Sequence, residues 1–252
     1  MTMGILEGKV VLLVGASTGI GAEAARVFAQ EGASLVLAAR SADALDRLAG
    51  ELATAGHEVA TAPGDVTSAS DVARMVDTAV ERFGRLDGAF NNAGITQSGP
   101  LHEVSEADFD RLFEVNVKGV WLCLREELRV MREAGGGSIV NTSSVGGYKG
   151  SSGFGAYQAT KHAVIGLTRT AAHDNGPQGV RVNAVAPGPT ESAMLDAMRR
   201  DDPEALPRRI AAMPLRKMGT GAEVGNAAAW LLSDRASHVT GAVLPVEGGF
   251  TA

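Results

Sequence analysis

The stretch Val10-Val11-Leu12-Leu13-Val14-Gly15-Ala16-Ser17-Thr18-Gly19-Ile20-Gly21 decides the fold. Five consecutive apolar residues run straight into a glycine-rich turn, and residues 22–30 follow with helical spacing. An apolar run without polar alternation marks a strand buried on both faces. Glycines let the backbone turn sharply and approach a ligand closely. The free N–H groups and dipole of a helix N-terminus favour negative charge. A strand, a glycine turn and a helix in that order suit the pyrophosphate of a dinucleotide, the plainer alternative being a tight turn for close helix packing.

Outward from this unit, short apolar runs alternate with longer helical patterns. Strands are predicted over residues 9–14, 34–39, 59–62, 86–91, 138–142, 180–185 and 242–245. Helices are predicted over 22–30, 43–55, 68–83, 106–134 with an interruption near Gly119, 157–175 and 223–232. The helix at 68–83 opens on a Ser68-x-x-Asp71 capping pattern. Strand–helix alternation throughout implies an α/β fold, a Rossmann-like doubly wound parallel sheet with helices on both faces. No linker or compositional break appears, so residues 1–252 read as one dinucleotide-binding and catalytic domain. The Pro- and Met-containing stretch 187–214 interrupts the alternation and reads as a surface excursion, with a substrate lid around 190–214.

The 252 residues carry a net charge of −6, which leaves no electrostatic footprint for nucleic acid or an anionic membrane. The lone Cys123 excludes an intrachain disulfide and a cysteine metal cluster, suits a reducing cytoplasm, and reads as a core residue. The N-terminus lacks a signal-peptide layout, and the most apolar run is too short to span a bilayer. The five histidines, His57, His102, His162, His173 and His238, form no metal-spaced cluster, so no metal is expected.

The glycines are spaced Gly-x-x-x-Gly-x-Gly. With Asp65-Val66, Asn91-Asn92-Ala93-Gly94, Asn116, Ser144, Tyr157-x-x-x-Lys161 and Pro187-Gly188 in the same order, the chain resembles the short-chain dehydrogenases/reductases from about residue 6 to 249. One departure is Val14, where the family usually has a Thr whose hydroxyl ties neighbouring strand ends together. The resemblance implies an NAD(P)-dependent oxidoreductase moving a hydride between the nicotinamide and a ketone or secondary alcohol.

Dinucleotide folds that use NAD usually end the second strand with an acid that accepts from the ribose 2′-hydroxyl. Here Ala39 holds that place and Arg40 follows, with Ser41 offering a hydroxyl. A guanidinium fork suits a phosphate, which favours NADP(H) over NAD(H). Arg40 reads alternatively as a solvated charge or a stack on adenine. Asp43 is discounted as part of the next helix. The resemblance adds Gly15, Ser17, Thr18, Gly19, Ile20 and Gly21 as the pyrophosphate loop, Asp65 and Val66 at adenine, and Asn92, Ala93 and Gly94 beside the adenosine ribose. It also places Pro187, Gly188, Thr190 and Ser192 at the nicotinamide carboxamide.

Tyr157 and Lys161 lie four apart on one helix face. Alone, such a pair is as readily a surface pair. Ser144, just after a strand, sits at the carboxyl edge of the sheet, where open parallel sheets bind ligands. A phenol with a pKa near ~10 is a poor base at neutrality, and a neighbouring ammonium lowers it. Tyr157 is therefore the expected acid in reduction and base in oxidation. Ser144 is expected to hold the substrate oxygen. By resemblance, Lys161 holds the nicotinamide ribose and Asn116 orients a water linking Lys161 to solvent.

The family forms homotetramers or homodimers, pairing the helices around Asn116 and Tyr157 or the final helix and strand. A 3-oxoacyl-thioester (acyl carrier protein) reductase is an alternative, for which Arg125, Arg129 and Arg132 would form a basic patch. A non-catalytic NADP-binding sensor or scaffold is the alternative of another class. Residues 95–100, 145–154 and 190–214 would select the substrate, with Met194, Met198 and Met213 either lining the pocket or facing inward from the lid.

Overall fold

Seven strands, β1 (Val10–Val14), β2 (Ser34–Ala39), β3 (Val59–Pro63), β4 (Gly88–Asn91), β5 (Gly137–Thr142), β6 (Val180–Pro187) and β7 (Val243–Val246), form one sheet in the order β3-β2-β1-β4-β5-β6-β7. Every neighbouring pair is parallel. The computed structural model describes residues 3–191 and 205–252. The strand register follows from side-chain alternation. Val10, Leu12 and Val14 belong to one hydrophobic core, while Val11 and Leu13 belong to the other. Each such side chain contributes about 1.5–3 kcal/mol on burial, so both faces hold the strand in place.

The first core is completed by α3 (Ala69–Phe83), α5 (Gly119–Ala134) and α6 (Gly155–Asn175). The second is completed by α1 (Gly19–Gln30), α2 (Ala42–Thr54) and α8 (Gly221–Leu232). Between β4 and α5 runs α4 (Glu106–Phe113), and after β6 comes α7 (Ala205–Ala212). The sheet is the doubly wound arrangement predicted from the alternation. Its order reverses beside β1, which leaves a crevice between the carboxyl ends of β1 and β4.

Three boundaries differ informatively from expectation. Helix α1 begins at Gly19, so the glycines at 19 and 21 form its first turn rather than precede it. Strand β4 starts at Gly88, because the preceding Asp87 turns its carboxylate onto the Val10 N–H at 2.8 Å. The interruption of the long helix is a π-helical turn, Glu114–Lys118, just ahead of Gly119. The added residue turns Asn116 inward and leaves Gly119 against Val66, whose Cγ2 would lie 2.9 Å from an added Cβ. Ser68 caps α3 through the Asp71 N–H at 3.3 Å, as its motif implies, while the Asp71 carboxylate reaches past the cap to the Asp65 N–H.

Asn91, Glu127, Asn141 and Thr168 form a buried polar chain between α5, the sheet and α6. Asn91 Nδ2 donates to both Glu127 Oε2 and Asn141 Oδ1, each at 3.0 Å. Asn91 Oδ1 and Glu127 Oε1 are buried without a donor. A proton on Glu127 supplies the kind of group this chain lacks. Burial indeed pushes the Glu127 carboxyl up to about 8, against the opposing hydrogen bond from Asn91. The unfolded chain ionises this group near its ordinary value while the folded protein keeps the proton. Stability attributable to Glu127 is therefore full at acid pH and lost between about 4.5 and 8. Glu127→Gln is expected to remove that loss. Thermal unfolding should show the variant gaining on the native protein as pH rises from 5 to 8, by up to about 1.4 kcal/mol per pH unit. A constant difference across that range would show Glu127 to be ionised in the fold.

Candidate active site

A cleft of about 710 Å³ runs along the carboxyl ends of the strands. At its centre lies the glycine turn. Gly15 adopts φ +88, and a Cβ there would come within 2.6 Å of the Ala93 nitrogen. A Cβ on Gly21 would collide with the Gly15 carbonyl oxygen, so β1, α1 and the segment after β4 meet backbone to backbone. Thr18 makes no side-chain cap to α1, and its first turn holds no acid. Ser17, Thr18, Gly19 and Ile20 line the cleft, with Gly21 packed behind them. A glycine-opened cradle at a helix N-terminus with no side-chain cap fits a dinucleotide pyrophosphate.

The strand ends around the crevice are tied through Asn92. Its Nδ2 donates to the Gly15 carbonyl at 3.2 Å, and its Oδ1 accepts from the Thr142 hydroxyl at 3.3 Å. Ala93 and Asn92 both donate their N–H to the Val14 carbonyl. Asn92 and Thr142 thus tie these strand ends although Val14 has no hydroxyl to offer.

At one end of the cleft stand Arg40, Ser41, Asp65 and Val66. Ser41 caps α2 by accepting from the Ala44 N–H at 3.4 Å, which leaves its own O–H free to donate. Burial acts to raise the Asp65 pKa. The N–H and hydroxyl of Thr67, at 2.9 and 2.8 Å, together with the charges of Arg40 and Arg111, outweigh it and hold the carboxyl below its ordinary value. Asp43 lies in the first turn of α2, as expected.

Ser144, Tyr157 and Lys161 stand together further along the same cleft. The Ser144 hydroxyl acts on the Tyr157 phenol, drawing its pKa down against burial. Ser144 Oγ also accepts from the Gly146 N–H at 3.1 Å, whereas Ser143 Oγ is used up on the Lys161 carbonyl at 2.9 Å. The two neighbouring serines are therefore engaged differently. Lys161 Nζ donates to the Thr142 carbonyl at 2.9 Å and lies 5.7 Å from the Tyr157 ring centre. Burial lowers the Lys161 ammonium to about 8. Burial also raises the Tyr157 phenol, and the Ser144 hydrogen bond reverses only part of that. In the protein alone the phenol stands above its ordinary value, against the expected lowering by Lys161, because desolvation dominates both groups.

Asn116 is fully buried behind the cleft. Its Oδ1 accepts from the Ile95 N–H at 2.8 Å, and its Nδ2 donates to the Ile95 carbonyl at 2.9 Å and to Thr160 Oγ1 at 3.1 Å. Its side chain pins the segment after Gly94 to α6. Pro187, Gly188 and Thr190 line the cleft, and Glu191 and Gly219 pair across the segment through their backbones. Ser192, Met194, Met198 and part of the expected lid lie outside the described residues. Met213 is buried beside Gly248. Sequence reading missed Gln158, Phe250 and Arg111, all on the cleft wall. Tyr157-x-x-x-Lys161 spacing carries no signal for Gln158, and nothing local marks Arg111 or Phe250.

Residues 15–251 match a family model described as enoyl-(acyl carrier protein) reductase. The chain is 45% identical to an A-factor type gamma-butyrolactone 1'-reductase (1S-forming) of Streptomyces virginiae, over 98% of this chain and 97% of the relative. It is 41% identical to levodione reductase of Leifsonia aquatica, over 97% and 94%. A crystal structure of levodione reductase superposes with a TM-score of 0.93 at 39% identity, covering 96% of this chain and 97% of that one. A proposed NAD(P)-dependent gluconate 5-dehydrogenase of Beutenbergia cavernae, with NADP bound at low occupancy, superposes with a TM-score of 0.92 at 33% identity, covering 97% of each.

The cradle geometry predicts a contrast between two glycines. Gly21→Ala should lower the melting temperature and abolish dinucleotide binding, because the methyl would displace the Gly15 carbonyl and the Asn92 amide that donates to it. Gly50→Ala, on α2 with nothing near its would-be Cβ, should stabilise by about 1 kcal/mol and leave binding intact. Calorimetry and dinucleotide titration check both, and normal binding by Gly21→Ala would contradict the cradle.

Proposed function

The chain belongs to the short-chain dehydrogenase/reductase family, and on that premise we propose that it is an NADP-preferring carbonyl reductase or alcohol dehydrogenase with Tyr157 as its acid and base. As an NAD(P)-dependent oxidoreductase of ketones and secondary alcohols, it takes its hydride chemistry from the bound nicotinamide. The observation that carries the site assignment is the convergence of Tyr157, Ser144 and Lys161 in the cleft that also contains the glycine cradle.

In reduction, Tyr157 gives its phenolic proton to the carbonyl oxygen as that oxygen gains negative charge, and in oxidation it takes the proton back. Ser144, held by the Gly146 N–H, donates to the same oxygen. Lys161 faces Tyr157 from one helical turn away and offers its remaining N–H groups to the nicotinamide ribose. Asn116 is a positioning residue, fixing Ile95 and Thr160, and the water it is proposed to orient would link Lys161 to solvent.

The NADP preference rests on Ala39 and Arg40. Ala39 stands where an acid would repel a 2′-phosphate, and the exposed Arg40 lines the cleft with no ion pair among the described residues. The free hydroxyl of Ser41 adds a second donor. The remaining contacts, Gly15 to Gly21, Asp65-Val66, Asn92 to Gly94 and Pro187 to Ser192, are proposed for the pyrophosphate, adenine, adenosine ribose and carboxamide. Val145, Phe154 and Phe250 give the substrate end apolar walls. The thioester-reductase alternative loses its basic patch: Arg125 pairs with Glu126 over Trp121, Arg129 pairs with Glu126 and Asp77, and Arg132 donates to Asn175.

A homotetramer or homodimer is proposed as the working state. Exposed Phe109 and Trp121 on α4 and α5, and Trp230 on α8, offer apolar surface on the two faces the family pairs. The buried Cys123 thiol suits a reducing cytoplasm.

Tyr157→Phe should lower kcat by about 10²- to 10⁴-fold while the NADPH dissociation constant changes little. Retained turnover would remove Tyr157 from the chemistry. Arg40→Ala should weaken NADPH by about 10- to 100-fold and leave NADH nearly unchanged. An unchanged NADPH/NADH ratio would overturn the cofactor preference.

A further inference from the structure

Arg111 belongs to none of the motifs, yet it reaches the cleft beside Asp65. It stands on α4, on the sheet face covered by α3, α5 and α6, where Val115, one turn on, joins that face's core and also lines the cleft. Gly119 seats this helical stretch against Val66, next to Asp65. Arg40 approaches from the opposite direction, at the start of α2 on the other sheet face. Both guanidiniums line the cleft and are exposed, and Arg111 has no carboxylate within ion-pair distance among the described residues. Both charges nevertheless act on the Asp65 carboxylate. The cleft that holds Asp65 is therefore lined by one arginine from the end of β2 and another from α4.

We propose that Arg111 closes the adenine subsite, laying its guanidinium plane against the base. This rests on the dinucleotide reading above and assigns this end of the cleft a second cation with a different task. Arg40 follows β2, where the ribose 2′ position is read. Arg111 comes from the far side of Asp65, where a planar base offers a π-face. A guanidinium stacks on such a face, and a lysine ammonium has no plane with which to replace it. The contact is indifferent to the 2′-phosphate, so it raises affinity for the adenosine half without selecting between the two dinucleotides.

The test is calorimetric titration of the native protein, Arg111→Ala, Arg111→Lys and Arg40→Ala with NADPH, NADH and ADP. Arg111→Ala should weaken all three ligands together by about 3- to 30-fold. Arg111→Lys should recover little of the loss. Unchanged ADP affinity in Arg111→Ala would overturn the proposal. So would a loss confined to NADPH and restored by lysine, which would make Arg111 a phosphate contact. Failure of the dinucleotide reading looks different: the native protein itself would bind none of the three ligands.

Discussion

One chain of hydrogen bonds joins the glycine cradle to the proposed catalytic lysine. The Gly15 carbonyl accepts from Asn92, Asn92 accepts from Thr142, and the Thr142 carbonyl accepts from Lys161. Its members sit at the carboxyl ends of β1, β4 and β5, which parallel pairing brings to one edge. The chain can form only because Gly15 and Gly21 let β1 and α1 come close to the segment carrying Asn92. Cradle geometry and lysine placement are therefore one constraint. A change at the glycine turn moves Asn92, and through Thr142 it moves the group facing Tyr157.

The electrostatics of the site follow from its burial. The bare protein disfavours charge on both central groups, raising the Tyr157 phenol and lowering the Lys161 ammonium to about 8. Among the described residues no carboxylate acts on either group. A phenol in this state is protonated at neutral pH, as reduction requires, but it is a weak acid and leaves little phenolate to act as base in oxidation. An oxidised nicotinamide bound here would add positive charge that favours phenolate, beside a lysine held in place by Thr142. The protein fixes the positions of the acid and its neighbours, and the ligand adjusts the charge.

Much of this was legible in the sequence because it depends on local pattern. Unbroken apolar runs such as Val10 to Val14 announce strands buried on both faces, and the two cores confirm that alternation residue by residue. What could not be read depends on long-range packing. The π-helical turn at 114–118 has no local signature, and it turns Asn116 toward Ile95 rather than into the cleft. The consequence of Val14 was invisible for the same reason, since Asn92 and Thr142 are distant in the chain. Arg111 and Phe250 reach the cleft through tertiary placement alone.

The most direct test of this account uses the fact that the chain has only two tyrosines, Tyr148 and Tyr157. Ultraviolet difference titration of the native protein against Tyr157→Phe isolates the Tyr157 phenol. Its pKa should lie above the ordinary value near ~10 in the free protein and fall when NADP+ is bound. A phenol already depressed without the dinucleotide, or unmoved by it, would contradict the claim that the bound nicotinamide completes the base.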